Sequence, residues 1–290
     1  RNNGGGSLRD VQKMSGFFIE EGPIVQVKSR DRKPEILEDN DPRVQYDGPL
    51  IVMVNSFSAS ASEILAAALQ DYGRAIIVGS NSTFGKGTVQ RFIDLDRGLR
   101  GIADIKPLGE VKLTIQKFYR VNGGSTQLKG VVPDIILPDR YHYFEVGERE
   151  NEYALGWTEI APVKYSQSVT SLDNLQEIKA ASAQRVANDE TFQQILNFAK
   201  RMKDQSDETS YTLNLDEYTK DKAERDAANE AYKNVFGEIE GMKVSNLEVD
   251  MDNINMDESK IEINKEWLES IKKDHYINET LAIMKDMIGS

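Results

Sequence analysis

Leu50-Ile51-Val52-Met53-Val54-Asn55-Ser56-Phe57-Ser58-Ala59-Ser60-Ala61-Ser62-Glu63-Ile64 is the stretch on which the fold turns. Leu50 to Val54 is a near-continuous apolar run, the pattern of a strand buried on both faces. From Ser60 to Tyr72 the chain is alanine-rich and reads as a helix, and Ala75-Ile76-Ile77-Val78-Gly79 is a second buried strand. Strand, helix, strand in that order implies a right-handed crossover and a parallel pair. Upstream, Ser7–Phe18 has helical spacing and Pro23–Val27 is a short strand. Lys28–Gly48 is charged and proline-containing, the texture of an exposed excursion. Downstream, Thr88–Leu95 and Val111–Val121 read as strands, Asn122-Gly123-Gly124 as a turn, and Val131–Pro138 as the closing segment.

Beyond about Arg140 the strand-like runs stop. Polar helical patterns occupy Leu172–Lys203, Leu215–Ile239 and Lys265–Ile288, and Val244–Ile263 is acidic with alternating apolar residues, a loop or short strands. Charge divides at the same place. Of the 290 residues, 1–140 hold 19 Lys+Arg and 17 Asp+Glu, whereas 141–290 hold 17 and 31, for a net charge of −12. Two domains follow, 1–140 and 141–290. The acidic balance argues against nucleic acid as a partner. No apolar run approaches the roughly 18 residues of a membrane span.

The chain has no cysteine and two histidines. Thiolate nucleophiles, disulfides, Cys-based zinc sites and iron–sulfur clusters are excluded. His142 lies in the aromatic segment Tyr141–Phe144 and His275 in a polar helix, so neither suggests a triad or a metal site, and no cofactor is expected. Ser60 stands where a buried strand hands over to a helix. There, backbone N–H groups without intrahelical partners are available to hold negative charge on a substrate oxygen. The same four residues, Ser60-Ala61-Ser62-Glu63, also fit a capping box, and three serines in five residues do not by themselves single out a nucleophile. Thr83-Phe84-Gly85-Lys86-Gly87-Thr88-Val89-Gln90 places a lysine between glycines. It is not a phosphate-binding loop, because the glycine spacing is one too long and Gly87 stands where Ser or Thr would bind magnesium. Lys86 is an exposed turn lysine or a general base, and the second role requires desolvation that holds the amine neutral. In an extended segment Gln90 shares its face with Lys86. A serine with a lysine base is the nucleophile scheme this composition readily allows. The third element is Asn3-Gly4-Gly5-Gly6-Ser7-Leu8, whose glycines permit positive φ and close approach to a ligand.

These blocks together resemble the C-terminal processing peptidases, or tail-specific proteases, of peptidase family S41. The resemblance rests on Arg1–Leu8, Gly22–Val27, Ser58–Ile64, Gln70–Ala75, Phe84–Gln90, Thr114–Gln127 and Gly130–Ile135. It extends more weakly to the helical half around Tyr153-Ala154-Leu155-Gly156-Trp157, which is similar to the C-terminal domain of the longer, Prc-type members. It implies a partial ClpP/crotonase-like α/β catalytic core followed by an α-helical domain. It assigns Ser60 as nucleophile, Lys86 as general base, Gln90 as the group that orients it, and the Gly6 and Ala61 amides as the oxyanion hole. The connection Gly79–Phe84 is one residue longer than is usual in the family. Family members carry an N-terminal region and a PDZ domain ahead of the Asn-Gly-Gly-Gly segment, so the chain is expected to be the C-terminal portion of a longer protein, with those domains as partners in cis. The resemblance further implies protein or peptide substrates with exposed C-termini, an adaptor lipoprotein or self-association, and a periplasmic or membrane-associated place in the bacterial envelope. The competing expectations are a non-catalytic binding or assembly module on the same fold, and an esterase or acyl transferase using the same pair.

Overall fold

The computed structural model describes residues 1–98, 106–233 and 235–289. It divides into two compact units: 1–136 with 145–173, and 137–144 with 174–290. The sequence suggests one boundary at residue 140, but the chain crosses between units more than once. Residues 145–173 return to the first unit because their backbone finds partners there. Ile160 N–H donates to Gly123 O (2.9 Å) and Val163 N–H to Val121 O (2.9 Å). The Trp157 indole donates to Ser125 O (2.8 Å).

In the first unit, helix α1 (Leu8–Ser15) precedes strand β1 (Gly22–Lys28) and strand β2 (Glu35–Asp39). Strand β3 (Ile51–Val54), helix α2 (Ala61–Asp71) and strand β4 (Ile76–Gly79) form the expected strand–helix–strand unit. Strands β5 (Thr88–Asp94), β6 (Glu110–Tyr119) and β7 (Ile135–Ile136) complete the set. β3 and β4 run parallel, with Ile51 opposite Ile76 and Val54 opposite Gly79, and β7 joins β4 in parallel. The second sheet is antiparallel in the order β2-β1-β6-β5. β2 lies within the segment whose charge suggests an irregular excursion. Glu35, Glu38 and Asp39 do not prevent pairing, because an edge strand needs only backbone partners on one side and tolerates charge on the other. β7 is short because Pro133 and Pro138 bracket it and supply no N–H to a ladder.

Helix α2 touches β1 of one sheet and β4 of the other. Its alanines make that double contact possible: Ala66, Ala67 and Ala68 are buried with Ile64 and Leu69, against Ile24, Val25, Ile77 and Val131. At its C-terminal end, Asp71 is held by Arg120, whose Nε and Nη2 donate to its two oxygens at 2.9 and 2.7 Å, while Asn122 Nδ2 adds a third bond. The Asp71 side chain is only 6% exposed. Removing one partner of so buried a pair leaves an uncompensated charge, so Arg120→Ala is expected to lower unfolding free energy by about 3–5 kcal/mol, measured by urea denaturation.

The second unit is helical. It contains α3 (Leu175–Asn188), α4 (Glu190–Asp207), α5 (Leu215–Lys233), the single turn α6 (Met251–Ile254), α7 (Glu258–Lys272) and α8 (His275–Ile288). The patterns at 172–203 and 265–288 each resolve into two helices, broken where an aspartate caps a new N-terminus. Asp189 accepts from Phe192 N–H (2.9 Å), and Asp274 accepts from Tyr276 and Ile277 N–H (3.0 Å each). Residues 244–247 form a loop, as one of the two expectations has it, residues 248–254 are short helical turns rather than strands, and α7 starts at the Asp257 cap. The helix expected through Ile239 stops being assigned at Lys233, and Asn234 lies outside the described residues. Ser182 and Arg185 on α3 bond Glu279 on α8 inside this unit, beside the core residues Ile178, Ile195 and Ile283.

Candidate active site

β3 ends in a turn in which Asn55 and Ser58 bind each other: Asn55 N–H donates to Ser58 Oγ (3.1 Å) and Ser58 Oγ to Asn55 Oδ1 (3.3 Å). Two residues on, Ser60 sits at φ 58°, ψ −116°, immediately before α2. Positive φ is uncommon for a residue with a Cβ and is retained where surrounding structure holds it. The three serines are now distinct. Ser58 is buried and used by the turn, and Ser62 lies within the first turn of α2. Ser60 is half-buried at the elbow, and its hydroxyl makes no capping hydrogen bond.

The acidic half of the capping arrangement is formed and does more than cap. The fully buried Glu63 carboxyl accepts four hydrogen bonds. Oε2 takes the Ser60 N–H (2.7 Å) and the Lys86 N–H (2.9 Å). Oε1 takes the Thr83 hydroxyl (2.6 Å) and the Gly85 N–H (2.7 Å). Thr83 Oγ1 in turn accepts the Val131 N–H (2.7 Å). A further bond runs from Phe84 N–H to Ser58 O (2.9 Å). One buried side chain therefore joins the serine elbow to the lysine loop, 26 residues later. Burial pushes the Glu63 carboxyl up to about 7, against the pull of its four donors. Sequence reading treats Glu63 only as a local cap; its other three partners come from residues 83–86 and are not visible in the local pattern.

The Lys86 backbone is held on every side. Gly85 O accepts Leu128 N–H (2.8 Å), Thr126 Oγ1 donates to Lys86 O (3.4 Å), and Gly87 N–H donates to Gln127 Oε1 (2.8 Å). In the 79–84 connection, which precedes these anchors, Asn81 is exposed. Lys86 precedes β5, and where β5 pairs with β6 Val89 lies opposite Gln116 and Gln90 opposite Thr114, so the extra residue of the irregularity, Ile115, belongs to β6. Gln90 is exposed, and among the described residues no hydrogen bond joins it to Lys86.

The opening glycines lie against the elbow. Ala59 N–H donates to Asn3 O (3.0 Å), and Asn2 N–H to Asn55 Oδ1 (2.9 Å). Gly5 adopts φ +95°, and a Cβ there would stand 2.6 Å from Ala59 O, 2.8 Å from Ala61 N and 2.9 Å from Ser60 Cβ. Gly5 is thus the residue pressed against the serine, and its own N–H is taken by Asn3 Oδ1 (3.0 Å). Gly6 is next in the chain, exposed and with open space around it. The Ala61 amide is the first of α2, before intrahelical bonding begins. Elbow serine, lysine loop and glycine-rich segment converge in one place.

The two halves of the chain match two family models, peptidase family S41 over residues 1–137 and the C-terminal domain of tail specific protease over residues 141–289. The chain belongs to the tail-specific proteases of peptidase family S41. Among curated proteins it is 45% identical over 231 residues to the tail-specific protease of Haemophilus influenzae, covering 78% of this chain and 32% of that protein. It is 36% identical over 157 residues to the carboxy-terminal-processing protease of Bartonella bacilliformis, covering 52% of this chain and 34% of that protein. Among solved structures, the photosystem II D1 C-terminal processing protease aligns at 32% identity and TM-score 0.41, over 47% of this chain and 33% of that one. The chain spans about a third of the length of the curated relatives it matches. An α/β first unit followed by a helical region is the arrangement that the two family matches lead one to expect.

Proposed function

We propose that the first unit carries the reacting groups of a serine endopeptidase that processes or degrades proteins from their C-terminal region. Ser60 attacks the scissile carbonyl, and Lys86 takes the hydroxyl proton. The Gly6 and Ala61 amides hold the oxyanion. The protonated lysine then returns its proton to the leaving amine, and water resolves the acyl-enzyme by the same route. The observation that carries the proposal is the shared oxygen. The amides of Ser60 and Lys86 both donate to Glu63 Oε2, so a serine and a lysine from separate motifs are anchored to one atom. The Ser60 hydroxyl, free of capping duty, is available to react. Gln90 enters as an orienting group on family resemblance alone. Substrates with exposed C-termini, a PDZ domain acting in cis, an adaptor lipoprotein or self-association, and an envelope location belong to the same proposal.

A fluorophosphonate probe tests it. In the complete protein the probe is expected to label Ser60, identified by peptide mass mapping, and to leave Ser56, Ser58 and Ser62 unmodified. Absence of label on a folded complete protein overturns the catalytic reading and favours a binding or assembly module on the same fold.

A further inference from the structure

The segment that returns to the first unit touches the lysine loop at three successive points. Arg149 Nη2 donates to Ser82 Oγ (2.9 Å). Glu148 N–H donates to Phe84 O (2.9 Å). The third contact is indirect: the Glu148 carboxylate accepts from Gln127 Nε2 (3.1 Å), and Gln127 Oε1 accepts the Gly87 N–H (2.8 Å). Glu148 therefore holds both flanks of the Gly85-Lys86 pair, one through its backbone and the other through its side chain. Gly147 makes the approach possible. At φ +118° it lies so close to the loop that a Cβ would stand 2.2 Å from Phe84 O.

We propose that Glu148 is a positioning residue for the base, acting by anchoring the Gln127 amide that holds the peptide after Lys86. A primary amide is nearly symmetric in shape but opposite in hydrogen-bonding character at its two ends. Gln127 is completely buried, and its amide faces an N–H donor on Gly87 and a carboxylate on Glu148. With the acceptor at one end, only one orientation satisfies both neighbours, and it puts the oxygen on Gly87. Without it, the buried Gln127 NH2 loses its acceptor, and the amide, held at Gly87 alone, fixes the peptide after Lys86 less closely. Small displacements of a catalytic group are amplified in rate, because the reacting geometry must be met closely. The segment carrying Glu148 lies within the match to the tail-specific C-terminal domain, so that part of the chain supplies a group to the base of the catalytic unit. This inference rests on the reading of Lys86 as the base.

The test is a series at position 148 in the complete protein, assayed on an unstructured polypeptide, with Lys86→Met in parallel. Glu148→Ala is expected to lower kcat about tenfold with KM within about twofold, since positioning and not substrate contact is lost. Glu148→Gln keeps an acceptor for Gln127 and is expected to retain at least about half of wild-type kcat. Glu148→Lys sets donor against donor and is expected to fall furthest, on the order of a hundredfold. Near-wild-type kcat in Glu148→Ala, or equal loss in the Gln and Ala variants, overturns the proposal. So does a loss of kcat that tracks loss of near-UV circular dichroism, which would mark Glu148 as structural only. Activity surviving in Lys86→Met would instead overturn the reading of the base, a separate failure.

Discussion

Ser60→Ala and Lys86→Met, each made in the complete protein, are expected to reduce hydrolysis of an unfolded substrate by at least about a thousandfold. Nucleophile and base act as one unit, and loss of either member of such a unit removes nearly all that the pair contributes. The structure separates this loss from misfolding. Because the Ser60 hydroxyl makes no capping hydrogen bond, its removal takes nothing from α2. The bonds that set the elbow use the Ser60 amide, which alanine keeps. Alanine tolerates the positive φ no worse than serine does, both bearing a Cβ. At Lys86 the anchoring groups are again backbone atoms, and methionine retains an apolar stem of similar length. Both variants should therefore melt within a few degrees of wild type while losing turnover. The informative comparison is Ser58→Ala, which breaks the turn with Asn55 and should lower stability and activity together. If Ser58→Ala is inert and Ser60→Ala fully active, the nucleophile has been misassigned.

Much of this architecture was legible from residues 50–79 because the signal there is strictly local. Two apolar runs flanking an alanine-rich helix have few ways to pack, and β3, α2 and β4 fall within a residue or two of their expected limits. Legibility fails where the deciding partner is distant. β2 looks like a charged loop until β1 offers it a ladder. The polar stretch 145–173 carries no strong period of its own; it is placed by Gly123, Val121 and Phe84, which its local composition does not reveal. The same division runs through the site. Ser60 and Lys86 stand out by residue type and context, but the anchoring of the Lys86 backbone depends on Glu63 and Thr126. The roles of Glu63 and Gln127 exist only in the folded chain, as each bonds the backbone of a segment more than 20 residues away.

Glu63 is the second position at which a large effect is expected, and the effect should depend on both substituent and pH. Glu63→Ala leaves four donors without a partner, three of them backbone amides, in a site closed to solvent. An unsatisfied buried donor costs about 1–3 kcal/mol, so even with water partly filling the space, a loss of at least about 3 kcal/mol and of most activity is expected. Glu63→Gln should be milder for a geometric reason. Its amide oxygen can replace Oε2, keeping the Ser60 and Lys86 amides on one atom. Its NH2 then takes the Oε1 position, where the Thr83 hydroxyl can rotate to accept and only the Gly85 N–H is opposed. Activity of Glu63→Gln is expected within about tenfold to a hundredfold of wild type, well above the alanine variant. The pH dependence follows from burial, which raises the carboxyl from 4.5 to about 7 in the folded protein. Between those values the folded state holds a proton that the unfolded chain has released. The stabilisation associated with that proton is complete below pH 4.5, declines as pH rises to about 7, and is absent above it. The fall amounts to about 3 kcal/mol, and glutamine, which does not titrate, lacks it. Measured by denaturant unfolding, the stability of wild type relative to Glu63→Gln should therefore decrease from pH 4.5 to pH 7 and then level off. A difference that is flat across this window, or that grows with pH, would mean that the four donors outweigh burial and hold Glu63 ionised throughout.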